Sequence, residues 1–145
     1  MALAHLVVGL YGSAVGGLML FTADRTLILE RAPSSWEIWT MIACGMGAAM
    51  ALFYGRDRMG QPGRKGFMKA LFASLWISFT GSLIAGTLSL PFYGTMFGPM
   101  SLIVAFVGNP ILGVLWFLNL IGAHILLSSY QSERNSIYER IDRLA

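Results

Sequence analysis

Hydrophobic and polar positions along this chain form blocks. Long uncharged apolar runs alternate with short segments that carry nearly all the charge. An apolar helix of about 20 residues, rising about 1.5 Å per residue, crosses a hydrocarbon core about 30 Å thick. The runs at residues 2–21, 36–54, 68–90 and 101–128 therefore predict four transmembrane helices. The expected fold is an all-α integral membrane protein, with a four-helix transmembrane domain over 1–129 and a tail over 130–145. The first run, MALAHLVVGLYGSAVGGLMLF, has no Lys or Arg ahead of it and is longer than the core of a cleaved signal peptide, so it reads as the first span.

The last apolar stretch, from Phe92 to Ser128, is longer than one straight crossing needs. Two readings compete. Asn109 and Pro110 are the residue types favoured at an N-cap and at the first helical position. A span would then begin at Pro110, and residues 92–109 would lie in the interface or re-enter the membrane. Alternatively, one span runs from Ser101 with a kink at Pro110. The second reading is preferred, because Ser101 to Gly108 is strongly apolar and non-helical backbone exposed to lipid is costly. Farther on, Tyr130, Ile137, Ile141 and Leu144 recur at helical spacing, with Glu133, Arg134, Glu139, Arg140, Asp142 and Arg143 around them. This pattern predicts an amphipathic C-terminal helix on the membrane or against a partner.

Charge gives the orientation. Arg56, Arg58, Arg64, Lys65 and Lys69 cluster in and beside the second loop, and Arg134, Arg140 and Arg143 lie in the tail, which makes eight of the 10 basic residues. Arg25 and Arg31 hold the first loop, and the third has none. The positive-inside rule then places both termini and the second loop in the cytoplasm. Trp36 and Trp39 fall at the outer interface, and Tyr54 and Tyr130 at the inner one.

Composition narrows the class further. Only 12% of residues are charged and 56% are hydrophobic, about half the charge of a soluble domain. A net charge of +3 beside membrane spans points to anionic lipid rather than nucleic acid. Arg56, Arg58, Arg64 and Lys65 are the expected headgroup contacts. The single cysteine, Cys44, excludes an intrachain disulfide and a cysteine-based zinc site.

Helices in lipid associate through close packing of small residues. At about 100° per residue, Gly12 and Gly16 form a GxxxG step on one stripe of span 1, shared with His5 and Gly9. Ser74, Ser78, Gly81 and Ala85 make the small face of span 3, opposite Phe72, Trp76 and Phe79. These stripes predict a tight bundle, or one that offers a stripe to another membrane protein.

Candidate chemistry is sparse. His5 and His124 fall at similar depth near the predicted cytoplasmic face of the first and last spans, where a pair of imidazoles could ligate a b-type haem or hydrogen-bond a quinone. Met46 and Met50 form an MxxxM pair of soft thioethers. Over those five residues the chain resembles the copper-transporter family, which implies soft-metal permeation; here the GxxxG step lies one span earlier. Glu30, Arg31 and Glu37 group around the first loop as Glu and Arg do in the small four-helix membrane enzymes that use glutathione. The spacing of that family is not reproduced, since Ser35 and Ile38 stand four and seven places after Arg31. A plainer reading caps span 2 with Ser34 or Ser35 and sets Glu37 in its first turn. Asn119, deep in span 4, is expected to hydrogen-bond to another helix, for instance to a serine of span 3, or to contact a partner subunit. The loop GRDRMGQPGRKG does not match a Walker A motif.

The expected function is that of a small, non-catalytic accessory or assembly subunit of a membrane complex in the cell inner membrane. Its partners would be membrane lipids and another membrane protein or a second copy, with no nucleic acid. No cofactor is assigned. Two alternatives stay open: a haem b- or quinone-binding redox protein built on His5 and His124, and a small-solute or metal permease.

Overall fold

The computed structural model describes residues 2–24, 31–61 and 63–142, with side chains described to 134. Five helices account for nearly all of it: α1 (Ala2–Ala23), α2 (Ser35–Gly55), α3 (Gly63–Ser89), α4 (Gly94–Gly108) and α5 (Pro110–Asp142), with a single 3-10 turn at Arg56–Arg58. Four of them, α1, α2, α3 and α5, are long and apolar enough to cross a membrane. The chain is a multi-pass, all-helical membrane protein.

Local sequence explains the breaks. Ser34 caps α2 in a capping box: its hydroxyl accepts from the Glu37 N–H, and the Glu37 carboxylate accepts from the Ser34 N–H at 2.7 Å. Pro91 follows the end of α3, where a proline cannot continue the helical hydrogen bonds. The reversal that follows places Phe92 at φ 73. The Leu90 N–H donates to the Gly86 carbonyl and the Gly94 N–H to the Leu90 carbonyl, so the turn leaves few orphan groups.

The last apolar stretch is two helices, which corrects the preference for one kinked span from Ser101. The residue before a proline is pushed out of the α region, and Asn109 sits at φ −139, ψ 86. Pro110 then opens α5 as a first helical residue. The cost that argued against a break is avoided, because it involves one residue with both backbone groups bonded. The Asn109 N–H donates to the Ala105 carbonyl at 2.9 Å, and its carbonyl accepts from the Leu112 N–H at 3.0 Å. α5 runs on without a break past Ser129 to Asp142. The stripe of Ile137 and Ile141 lies on side chains outside the described residues, as do Leu144 and Arg143.

Adjacent helices meet through small residues. A Cβ on Gly12 would lie 2.7 Å from Ala48 Cβ, and one on Gly16 would lie 2.8 Å from Cys44 Sγ, so α1 and α2 touch backbone to side chain. Gly47 of α2 meets Gly81 and Ala85 of α3, and Gly86 and Ser82 of α3 meet Gly94 and Gly98 of α4. Leu10, Leu18, Phe72 and Trp76 point outward, as lipid-facing positions do.

The depth of α5 decides where the core sits. Trp116 Nε1–H donates to Ser78 Oγ, just past the middle of α3, while Leu127 and His124 reach Gly60 in the turn below. Pro110 lies about 9 Å along the helix before Trp116, whereas α3 runs on for about 16 Å beyond Ser78. α5 therefore stops short of the far end of α3. The 15-residue α4 fills that depth, packing antiparallel on α3 and touching α5 through Phe106 and Phe117.

Candidate functional site

On the side of the bundle that α5 does not reach, α1, α2, α3 and α4 enclose a cavity of about 320 Å³. Its position follows from the small-residue stripes. A glycine or alanine lets two backbones approach on one flank and leaves unfilled space on the other. Gly12 and Gly16 contribute from α1, Cys44 and Ala48 from α2, Gly81 and Ala85 from α3, and Gly94 and Gly98 from α4. Trp116 of α5 forms the floor, and Trp36, Ala23 and Leu90 reach the wall from the helix ends.

The wall is chemically quiet. Ser78 Oγ accepts from Trp116 Nε1 at 2.7 Å and donates to the Ser74 carbonyl at 2.7 Å. Ser82, Ser89 and Thr40 donate to carbonyls of their own helices. Among the described residues no group of three His, Cys, Asp or Glu side chains gathers to hold a metal.

The charged cluster lies where α1 ends and α2 begins. Arg31 donates to both carboxylate oxygens of Glu37, at 2.9 and 2.6 Å, and to Asp24 at 2.7 Å. The Glu37 and Asp24 carboxylates beside it raise the Arg31 guanidinium above its already high ordinary pKa. The cluster clips α1 to α2, and Glu37 serves it while also completing the cap. Glu30 and Arg25 lie outside the described residues.

The expected site residues distribute as follows. Gly12, Gly16, Ser78, Gly81 and Ala85 stand both at helix contacts and on the cavity wall. Ser74 is buried one turn below and donates to the Ala70 carbonyl. His5 and His124 lie at the same end of the bundle but have different neighbours. The His5 ring packs 6.1 Å from Phe53, while His124 packs 6.4 Å from Phe67. His124 Nδ1 accepts the Gly60 N–H at 2.8 Å, so the neutral ring carries its proton on Nε2. Thus arranged, the ring holds the turn, and its Nε2 has no free lone pair for a metal.

Arg56 lies 4.4 Å from the Phe53 ring and Arg58 lies 5.9 Å from Trp76, each alongside an aromatic surface. Arg64 and Lys65 are exposed in the first turn of α3. Met46 and Met50 face outward, away from Cys44 on the cavity wall. Asn119 corrects the expected bond to a span 3 serine: its Nδ2 is buried with no hydrogen-bond partner among the described residues, and Trp116 makes that bond instead. An indole at that depth reaches α3 from one turn earlier.

Sequence reasoning missed Trp116, Met59, Gly94 and Gly98. Gly94 and Gly98 form a second GxxxG step, a signal that was available and that marks the α3–α4 contact. The chain matches no family model, no curated protein and no solved structure.

Proposed function

We propose that this chain is a small, non-catalytic accessory or assembly subunit of a membrane complex, held in the cell inner membrane with both termini and the Arg56–Gln61 turn in the cytoplasm. The observation that carries this reading is the chemistry of the interhelical cavity. Its described walls are glycine, alanine, apolar side chains, the thiol of Cys44 and hydroxyls, of which Thr40, Ser78, Ser82 and Ser89 donate to their own helices. Among the described residues such a wall holds no carboxylate, histidine or lysine that could act as acid or base or activate the Cys44 thiol. The orientation rests on the positive-inside rule. Arg56, Arg58, Arg64 and Lys65 would face anionic headgroups, at about 1 kcal/mol per basic residue near the surface.

Haem ligation by His124 is disfavoured by the bond from Gly60, since a ligating Nε2 would have to give up its proton while Nδ1 still accepts. The test is extraction from the native membrane in mild detergent, with crosslinking and sizing of the chain. Co-migration with other membrane proteins in fixed proportion is expected. A chain that migrates alone at its own 15.8 kDa plus detergent, and crosslinks to nothing, contradicts the proposal.

A further inference from the structure

We infer that the cavity is a binding site for one hydrocarbon chain of a membrane lipid, which enters sideways between α1 and α4. The cavity opens toward the bilayer. A groove runs between α1 and α4 on the surface of the bundle, lined by Met19, Ala23, Phe97 and Ser101, and the same four residues line the cavity. The outer lip of the groove is Met100 and Val104, both exposed on the face that carries the other lipid-facing side chains. The cavity is therefore continuous with the lipid-facing surface of the spans.

Wall chemistry selects the occupant. A water molecule needs two to four polar partners, and an apolar cavity of about 150 Å³ stays dry and takes up benzene. This cavity has about twice that volume, 320 Å³, and the hydroxyls of Thr40, Ser78, Ser82 and Ser89 are already committed as donors. Among the described residues no charged side chain lines it. A headgroup would lose its hydration there with little in return, whereas an aliphatic chain loses nothing and supplies the dispersion contacts that an empty void forfeits. The inference is independent of the accessory-subunit reading, because it concerns the chain and the bilayer alone.

Trp116 is the reporter, since it forms the floor and is otherwise 5% exposed. The full chain carrying Trp36→Phe, Trp39→Phe and Trp76→Phe keeps it as the sole tryptophan. In phosphatidylcholine vesicles with brominated acyl chains, a chain in van der Waals contact with the indole should reduce its emission roughly twofold relative to unbrominated vesicles. Ser101→Phe, at an exposed position shared by the groove and the cavity, should plug the entrance and restore most of that emission. Emission unaffected by bromination overturns the inference. So does quenching that persists undiminished in a Ser101→Phe protein with wild-type circular dichroism, because the bromine then reaches Trp116 from bulk lipid. Native mass spectrometry of the unsubstituted protein gives a second reading: one retained lipid per chain is expected, and its absence from folded protein contradicts the site.

Discussion

In the half of the bundle nearest the Arg56–Gln61 turn, the inward positions are Val8, Leu52, Met59, Ile77, Leu120 and Leu127, all with less than 2% of their surface exposed. In the half nearest the α3–α4 reversal, the inward positions are Gly12, Gly16, Gly81, Ala85 and Gly98. Both halves hold their helices close, but only the first also fills its centre. Small residues solve the pairwise problem of bringing two backbones together. They leave the many-helix problem of the central space to larger side chains, and α5 supplies those only as far up as Trp116 and Leu112.

The turn at the filled end adds a second contrast. Gly60, at φ 79, bends the chain so that its N–H meets His124 and Met59 is driven fully into the core. At the opposite end, the cluster of Arg31, Glu37 and Asp24 is half-exposed apart from Glu37. One end is held by a buried hydrogen bond and a plug, and the other by an ion cluster that water reaches.

The largest effect should come from emptying the filled half. Leu120→Ala removes a side chain with no exposed surface, and should lower stability by about 2–5 kcal/mol, read as a lower thermal midpoint in detergent. His124→Phe keeps a ring against Phe67 but leaves the Gly60 N–H without its acceptor. It should cost about 1–3 kcal/mol and raise proteolysis at the Arg56–Gln61 turn. Arg31→Met, at the exposed end, should have the smallest effect on the thermal midpoint of the three, because solvent screens the ion cluster. That small effect should shrink further in high salt, since the cluster is screened by solvent. If Arg31→Met proved more damaging than Leu120→Ala, the contrast between the two ends would be inverted.

Much of this architecture is legible in the residues, and the losses have identifiable causes. Charge-free run length is set by bilayer thickness, so α1, α2 and α3 emerge within a few residues of their ends. The Ser34 cap, Glu37 in the first turn and the outward face of span 3 follow from local rules as well. The break at Asn109 is different. Asn109 and Pro110 signal it locally, and the general cost of exposed backbone that weighs against a break is not incurred by a single residue with both groups bonded. The cavity was out of reach for the same reason. It exists because α5 begins partway up α3, a depth set by that break and by the pairing of Trp116 with Ser78, 38 residues apart. The two histidines illustrate the limit of equal depth as an argument. Helix rotation turned one ring toward Phe53 and the other toward Gly60.

The most direct test compares one substitution at two positions of a single helix. Val8 and Val15 lie two turns apart on the same face of α1, the first fully buried in the filled half and the second on the cavity wall. Valine to leucine adds one methylene group at either. Thermal unfolding of Val8→Leu and Val15→Leu should separate clearly. Val8→Leu should lose about 1–3 kcal/mol to overpacking, while Val15→Leu should be neutral or gain up to about 1 kcal/mol by filling space. Equal losses at both positions would show that the second half is as densely packed as the first, and would contradict the cavity on which this account rests.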